Sequence, residues 1–184
     1  MMHIVRKAYF DFEKEEKFLN DMAAKGFALT NYSWCKYVFE DAPRGEYIYR
    51  LELLEHPINH PESRNYLQFM EEMGAEVVTN YHRWVYFRKK AVDGEFQIYT
   101  DYGSLINHYH RIRLLFLIIA AFNFLIGIYN YYMGYVETSM GSTPINTYVS
   151  IVSFSVAALL LIFLILPLTK KIEDLKKEKD IRDK

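Results

Sequence analysis

Phe18-Leu-Asn-Asp-Met-Ala-Ala-Lys-Gly26 returns 48 positions later as Tyr66-Leu-Gln-Phe-Met-Glu-Glu-Met-Gly74, and a Thr-Asn-Tyr follows each copy, at 30–32 and at 79–81. An aromatic-Leu-x-x-Met run closed by glycine reads as a helix, because glycine takes the left-handed conformation that ends one at little cost. Each copy is preceded by a segment rich in aromatic and β-branched residues, which reads as a strand. Working outward, the chain predicts a strand over 3–12, a helix over 13–25 and strands over 27–40 and 46–55. A second helix over 61–73 and a strand over 76–90 follow, with Asp41–Gly45 as the central turn. That order is the α+β, ferredoxin-like βαββαβ plan, with two helices covering one face of a four-stranded antiparallel sheet. The repeated Leu and Met positions are then core residues.

Alternate residues of a strand share a face, so the other side of such a sheet would carry Tyr9, Tyr32, Trp34, Tyr47 or Tyr49, Trp84 and Tyr86. An uncovered aromatic layer can stack a ligand, meet a protein partner or pair with a second copy. Nucleic acid is not expected there. Residues 1–100 hold 13 Lys and Arg against 16 Asp and Glu, whereas nucleic-acid binding asks for a basic footprint.

Beyond residue 113 the composition changes. Leu114–Val136, LLFLIIAAFNFLIGIYNYYMGYV, carries no charge, and neither does Asn146–Leu168, NTYVSIVSFSVAALLLIFLILPL. Each is 23 residues long, and about 20 helical residues cross a hydrocarbon core. Tyr129, Tyr131, Tyr132, Tyr135 and Tyr148 cluster at the ends that face the short 137–145 loop, the depth that tyrosine favours. Arg111 and Arg113 precede the first span, five lysines follow the second within 170–179, and the loop has no basic residue. The positive-inside rule then puts both termini in the cytoplasm of a two-span cell-membrane protein. No leader-like apolar run precedes the acidic residues near the start. The expected division is a cytoplasmic domain over 1–95, a juxtamembrane helix or linker over 96–113, spans over 114–136 and 146–168, and a charged tail over 169–184.

Within the spans, Ala120, Asn123, Gly127, Asn130 and Gly134 recur at steps of three and four, as do Ser150, Ser153, Ala157, Leu160 and Leu164. Such stripes of small and polar residues let helices pack closely in lipid. His108, His110, Arg111 and Arg113 fall where anionic headgroups would meet them. Asp101 or Ser104 can cap a helix leading into the membrane.

Catalytic chemistry is not legible. There is no phosphate-binding glycine loop, no HExxH and no GxSxG. The acids in Glu13-Lys-Glu-Glu16 read as a helix surface. His56 and His60 are spaced like a metal pair but need a third ligand, and none is obvious from the sequence. A single cysteine, Cys35, excludes an intramolecular disulfide. No cofactor, no metal and no enzymatic activity are expected.

Tyr9–Phe27 (YFDFEKEEKFLNDMAAKGF), Tyr-x-Phe-Glu at 37–40, Tyr-Ile-Tyr-Arg-Leu at 47–51 and Tyr-x-Asp-Tyr-x-Ser-x-Ile-x-His-Tyr-x-Arg at 99–111 resemble the bacterial domain-of-unknown-function family 2812. The resemblance covers roughly 3–113, with Phe18 and Phe27 where members typically carry Trp. It implies a Firmicute membrane protein, often encoded beside a PadR-type repressor, and carries no catalytic residues. The expectation is a non-enzymatic, membrane-anchored interaction or sensory module. It would act as a homodimer on membrane lipid and bind a small ligand or a protein partner, for instance a PadR-type regulator, through its sheet face. The alternative is an accessory subunit of a transporter or resistance system that acts through its hairpin.

Overall fold

The structure is a computed structural model that describes residues 1–183. The chain divides into two compact units, Met1–Thr100 and a second from Asp101 onward.

The N-terminal unit runs β1 (Met2–Arg6), α1 (Phe12–Ala24), β2 (Phe27–Ser33), β3 (Lys36–Asp41), β4 (Tyr47–Leu53), α2 (Pro61–Glu72), β5 (Glu76–Tyr81) and β6 (Trp84–Lys90). Its strands form two antiparallel three-stranded sheets, ordered β1-β3-β2 and β4-β6-β5. The four-stranded ferredoxin-like order therefore does not describe it. The segments 27–40 and 76–90, expected to be single strands, are hairpins. The first reverses at Trp34 (φ 35°) and Cys35 (φ 60°), the second at His82 (φ 54°). Left-handed residues suit tight hairpin turns, but Gly and Asn are the usual signals, so Trp-Cys and His-Arg gave no sign of the reversal.

Both halves run strand–helix–strand–strand, with the first strand paired to the last. Both have a register shift in the pairing of the later two strands, at Leu29/Asn31 and at Val77/Thr79. The Thr-Asn-Tyr segments lie on β2 and β5. There Thr79 Oγ1 donates to Asn31 Oδ1 at 3.2 Å, and the Tyr32 and Tyr81 rings meet edge-on at 5.7 Å. Gly26 (φ 93°) and Gly74 (φ 82°) end the helices as expected. The core crosses the halves, since Leu19, Leu29 and Phe39 pack with Tyr49, Leu51 and Tyr86. Phe96 belongs to a second core with Met70 and Phe87, which is why the unit extends past residue 95.

Helix α1 also closes a sheet edge. Glu16 accepts the Leu51 N–H at 2.7 Å, while Asn20 accepts the Tyr49 N–H at 2.9 Å and donates to the Tyr49 carbonyl at 3.1 Å. These side chains occupy the free edge of β4, which would otherwise be a template for pairing with another strand.

The second unit is a helical hairpin. Asp101 caps α3 (Tyr102–Ser139) by accepting the Ser104 N–H. The chain returns as α4 (Ile145–Leu160), a π turn over Leu161–Ile165, and α5 (Leu166–Arg182). Each arm is 38 residues long, about 57 Å at the helical rise and nearly twice a hydrocarbon core. Both arms are long and apolar enough to span a membrane. Large apolar side chains such as Ile118, Phe122, Leu125, Ile162 and Phe163 face outward, as lipid-facing positions do. The 169–184 segment continues the helix to Arg182, with Ile172 and Leu175 buried.

Gly127, Gly134, Ser150, Ser153 and Ala157 are buried, whereas Ala120, Asn123 and Asn130 are partly so. A Cβ on Gly127 would stand 2.7 Å from the Phe154 ring, and one on Gly134 would stand 2.7 Å from the Thr147 backbone nitrogen. Asn123 and Asn130 donate to the carbonyls of Ile119 and Ile126 one turn back. Glu137 closes the hairpin by accepting from the Asn146 backbone N–H at 3.1 Å and from its side-chain amide.

Candidate functional site

The site grows from the start of α1. Asp11 caps the helix by accepting the Glu13 and Lys14 N–H groups, and acids in the first turn oppose the positive end of the helix dipole. From there the buried stripe runs Glu15, Leu19, Ala23 at steps of four, so Glu15 takes a core position. Its Oε1 accepts two phenol protons at 2.7 Å each, from Tyr37 on β3 and from Tyr86 on β6. One carboxylate oxygen thus ties together the two sheets.

Aromatic rings surround it. Tyr32 packs at 4.8 Å on Tyr37 and 4.9 Å on Tyr86, and its hydroxyl accepts the Cys35 N–H. Tyr9 meets Phe18 at 5.4 Å and Tyr37 at 6.4 Å, and Phe12 meets Trp84 at 6.1 Å. The Lys7 ammonium lies over the Tyr9 and Phe18 rings. Burial raises the Glu15 carboxyl above its ordinary range, opposed by the two phenol donors. Burial also raises both phenols, and the Glu15 charge raises them further. The neighbouring Glu16 is pushed up to about 7, chiefly by burial, against the Leu51 N–H and the Arg50 charge, which lower it. Two adjacent acids displaced upward by burial make this cluster a candidate functional site.

Four of the expected sheet-face residues, Tyr9, Tyr32, Trp84 and Tyr86, fall at this cluster, but not as an open layer. Tyr86 is enclosed, and so is Tyr49, whose hydroxyl accepts the Leu29 N–H. The correction has a physical cause. With six strands in two sheets, alternate residues of β4 and β6 point into the core that α1 completes. Trp34 stands apart at the hairpin tip, 77% exposed. Glu15 was missed because its charged neighbours made it look like surface; the signal was its place four residues before Leu19.

In the hairpin, His108 is fully buried, so its ring does not face headgroups. Arg113 pairs with the His110 ring at 3.0 Å and reaches Thr169 Oγ1 on α5 at 3.5 Å. Arg111 is partly exposed, and Lys171 lies over the Tyr109 ring.

No curated protein and no solved structure matches the chain. The family described as Protein of unknown function (DUF2812) matches residues 11–121. The matched stretch opens on the cap of α1, takes in Glu15, Tyr37 and Tyr86, and reaches into α3. Since it covers more than half of the sequence, the chain belongs to that family of unknown function.

Proposed function

We propose that this chain is a membrane-anchored sensory module whose N-terminal unit, on the cytoplasmic side, binds a small ligand at Glu15. One observation carries this. Glu15 Oε1 takes both phenol protons, and neither phenol donates to Oε2. A largely buried carboxylate walled by aromatic rings suits a ligand with a cationic or N–H donor group, which ring faces and charge attract together. Seating such a ligand would pull on Tyr37 and Tyr86, and so on both sheets at once. That gives binding a route to a change of shape without any chemical step.

Ligand trials use the full chain in lipid nanodiscs, with a panel of aromatic organic cations and neutral isosteres read by thermal shift. The expected outcome is a rise in Tm for cations with the native chain and none with Glu15→Gln, which keeps an acceptor for both phenols. Equal shifts in both proteins would sink the assignment.

A second function, as an accessory subunit acting through the hairpin, is favoured by the outward apolar surface of α3 and α4. Gentle crosslinking in membranes followed by mass spectrometry separates the two. A soluble regulator, such as the PadR-type protein the family resemblance implies, supports the sensory role. A polytopic transporter captured through the hairpin supports the other.

A further inference from the structure

The loop between β4 and α2 holds a cluster that the Glu15 site does not use. Pro57 and Pro61 restrict the backbone of His56-Pro-Ile-Asn-His-Pro-Glu62. The His60 N–H donates to the Pro57 carbonyl at 2.9 Å, which folds the segment into a turn and brings the rings of His56 and His60 to 4.1 Å, nearly parallel at 25°. Two further bonds fix this turn on the helix start. Ser63 Oγ donates to the His56 carbonyl at 3.1 Å, and the Arg64 N–H donates to the His60 carbonyl at 3.0 Å. The first turn of α2 then delivers Glu62, whose Oε2 lies 3.2 Å from His56 Nε2.

We infer that His56, His60 and Glu62 form a binding site for a divalent transition-metal ion of the zinc, nickel or copper kind. One ligand atom from each residue lies within 4.8 Å of the others. Bonds of about 2.0–2.2 Å to zinc place tetrahedral ligand atoms roughly 3.3 Å apart. The His56–Glu62 pair is already at that edge, and His60 needs only a side-chain rotation to join it. Two imidazoles select borderline metals over magnesium or calcium, which prefer all-oxygen sites. Three protein ligands leave a fourth position for water or a small exogenous ligand.

Opposing groups are modest. The helix start is a positive dipole end, which the Glu62 charge offsets. The Glu62 N–H reaches His60 Nδ1 at only 3.4 Å, a long bond that metal binding can replace. His56 and His60 are half-buried and Glu62 is exposed, so an ion has access from solvent.

The test is calorimetric titration of Zn²⁺ into the full, metal-stripped chain in nanodiscs at pH 7.5, with Co²⁺ absorption as a second readout of coordination. The expected result is one saturable site with tetrahedral Co²⁺ bands, and a Tm that rises with metal. His56→Ala and His60→Ala should each weaken binding at least tenfold, and Glu62→Gln severalfold, with the rise in Tm on adding metal read against each variant's own metal-free Tm. A site that survives both histidine substitutions, or no saturable binding below millimolar zinc, overturns the inference.

Discussion

At the scale of single residues, Glu15 and Glu16 are neighbours that do different work. Glu15 joins two sheets through Tyr37 and Tyr86, and Glu15→Ala strands both phenol hydroxyls in a closed core. The expected loss is about 2–4 kcal/mol, measured by chemical denaturation, whereas Glu15→Gln should cost far less. Glu16 instead satisfies an edge N–H, and its pKa rises from the ordinary 4.5 to about 7. The folded state therefore holds its proton in a window where the unfolded chain has released it. Stability falls as pH rises from about 4.5 to 7, by at most roughly 3 kcal/mol, and Glu15 contributes in the same direction. Tm measured from pH 5 to 8 should decline in the native chain and run flatter in Glu16→Gln. Trp34 offers a third case, because a bulky residue at φ 35° bears strain of roughly 1–2 kcal/mol. Trp34→Gly should recover much of that in thermal melts, and a loss of partner capture in the same variant would mark the exposed ring as a contact.

At the scale of elements, the helices were legible and the hairpins were not. The Gly-ended motifs placed α1 and α2 to within a residue or two, since periodicity and a left-handed glycine are local properties. The reversals at Trp34-Cys35 and His82-Arg83 carry no turn chemistry, so strands 27–40 and 76–90 looked continuous and the sheet count came out wrong. The same blind spot hid the site. The spacing to Leu19 hints that Glu15 takes a core position, but its phenol partners are recognisable only once β3 and β6 are separate strands whose tyrosines point at α1. The small-residue stripe of the first span was readable because membrane packing leaves a simple spacing, and it makes a sharp prediction. Gly127→Leu forces atoms into the Phe154 ring, so disulfide crosslinking between cysteines introduced on α3 and α4 should drop severalfold relative to the native glycine. Phe122→Leu, at an outward position of α3, should leave crosslinking unchanged.

For the whole molecule, two units of different solvent preference share one chain, and the single cysteine makes their arrangement in a membrane testable. Cys35 sits in the β2–β3 turn, half-buried. A membrane-impermeant maleimide should miss it in intact cells and label it in lysed ones, given basic residues at both ends of the hairpin and none in its loop. In a Cys35→Ser background, Ser142→Cys in that loop should show the reverse. Labelling of Cys35 from outside would overturn the orientation and, with it, the cytoplasmic sensory role.

The π turn of the second arm has its own consequence. Buried positions fall at 150, 157, 165 and 172, steps of seven, eight and seven, because the Leu166 N–H bonds to the Leu161 carbonyl five residues back. The added residue explains why Ile165, rather than Leu164, faces inward, and it relieves Pro167, which has no N–H to give and would crowd the preceding turn of a regular helix. This arm is thus one residue longer than its seam requires. Deleting Ile162 together with Pro167→Ala should leave an uninterrupted helix with both faces in phase. Deleting a residue between 146 and 157 would turn one half of the seam by about 100° towards lipid.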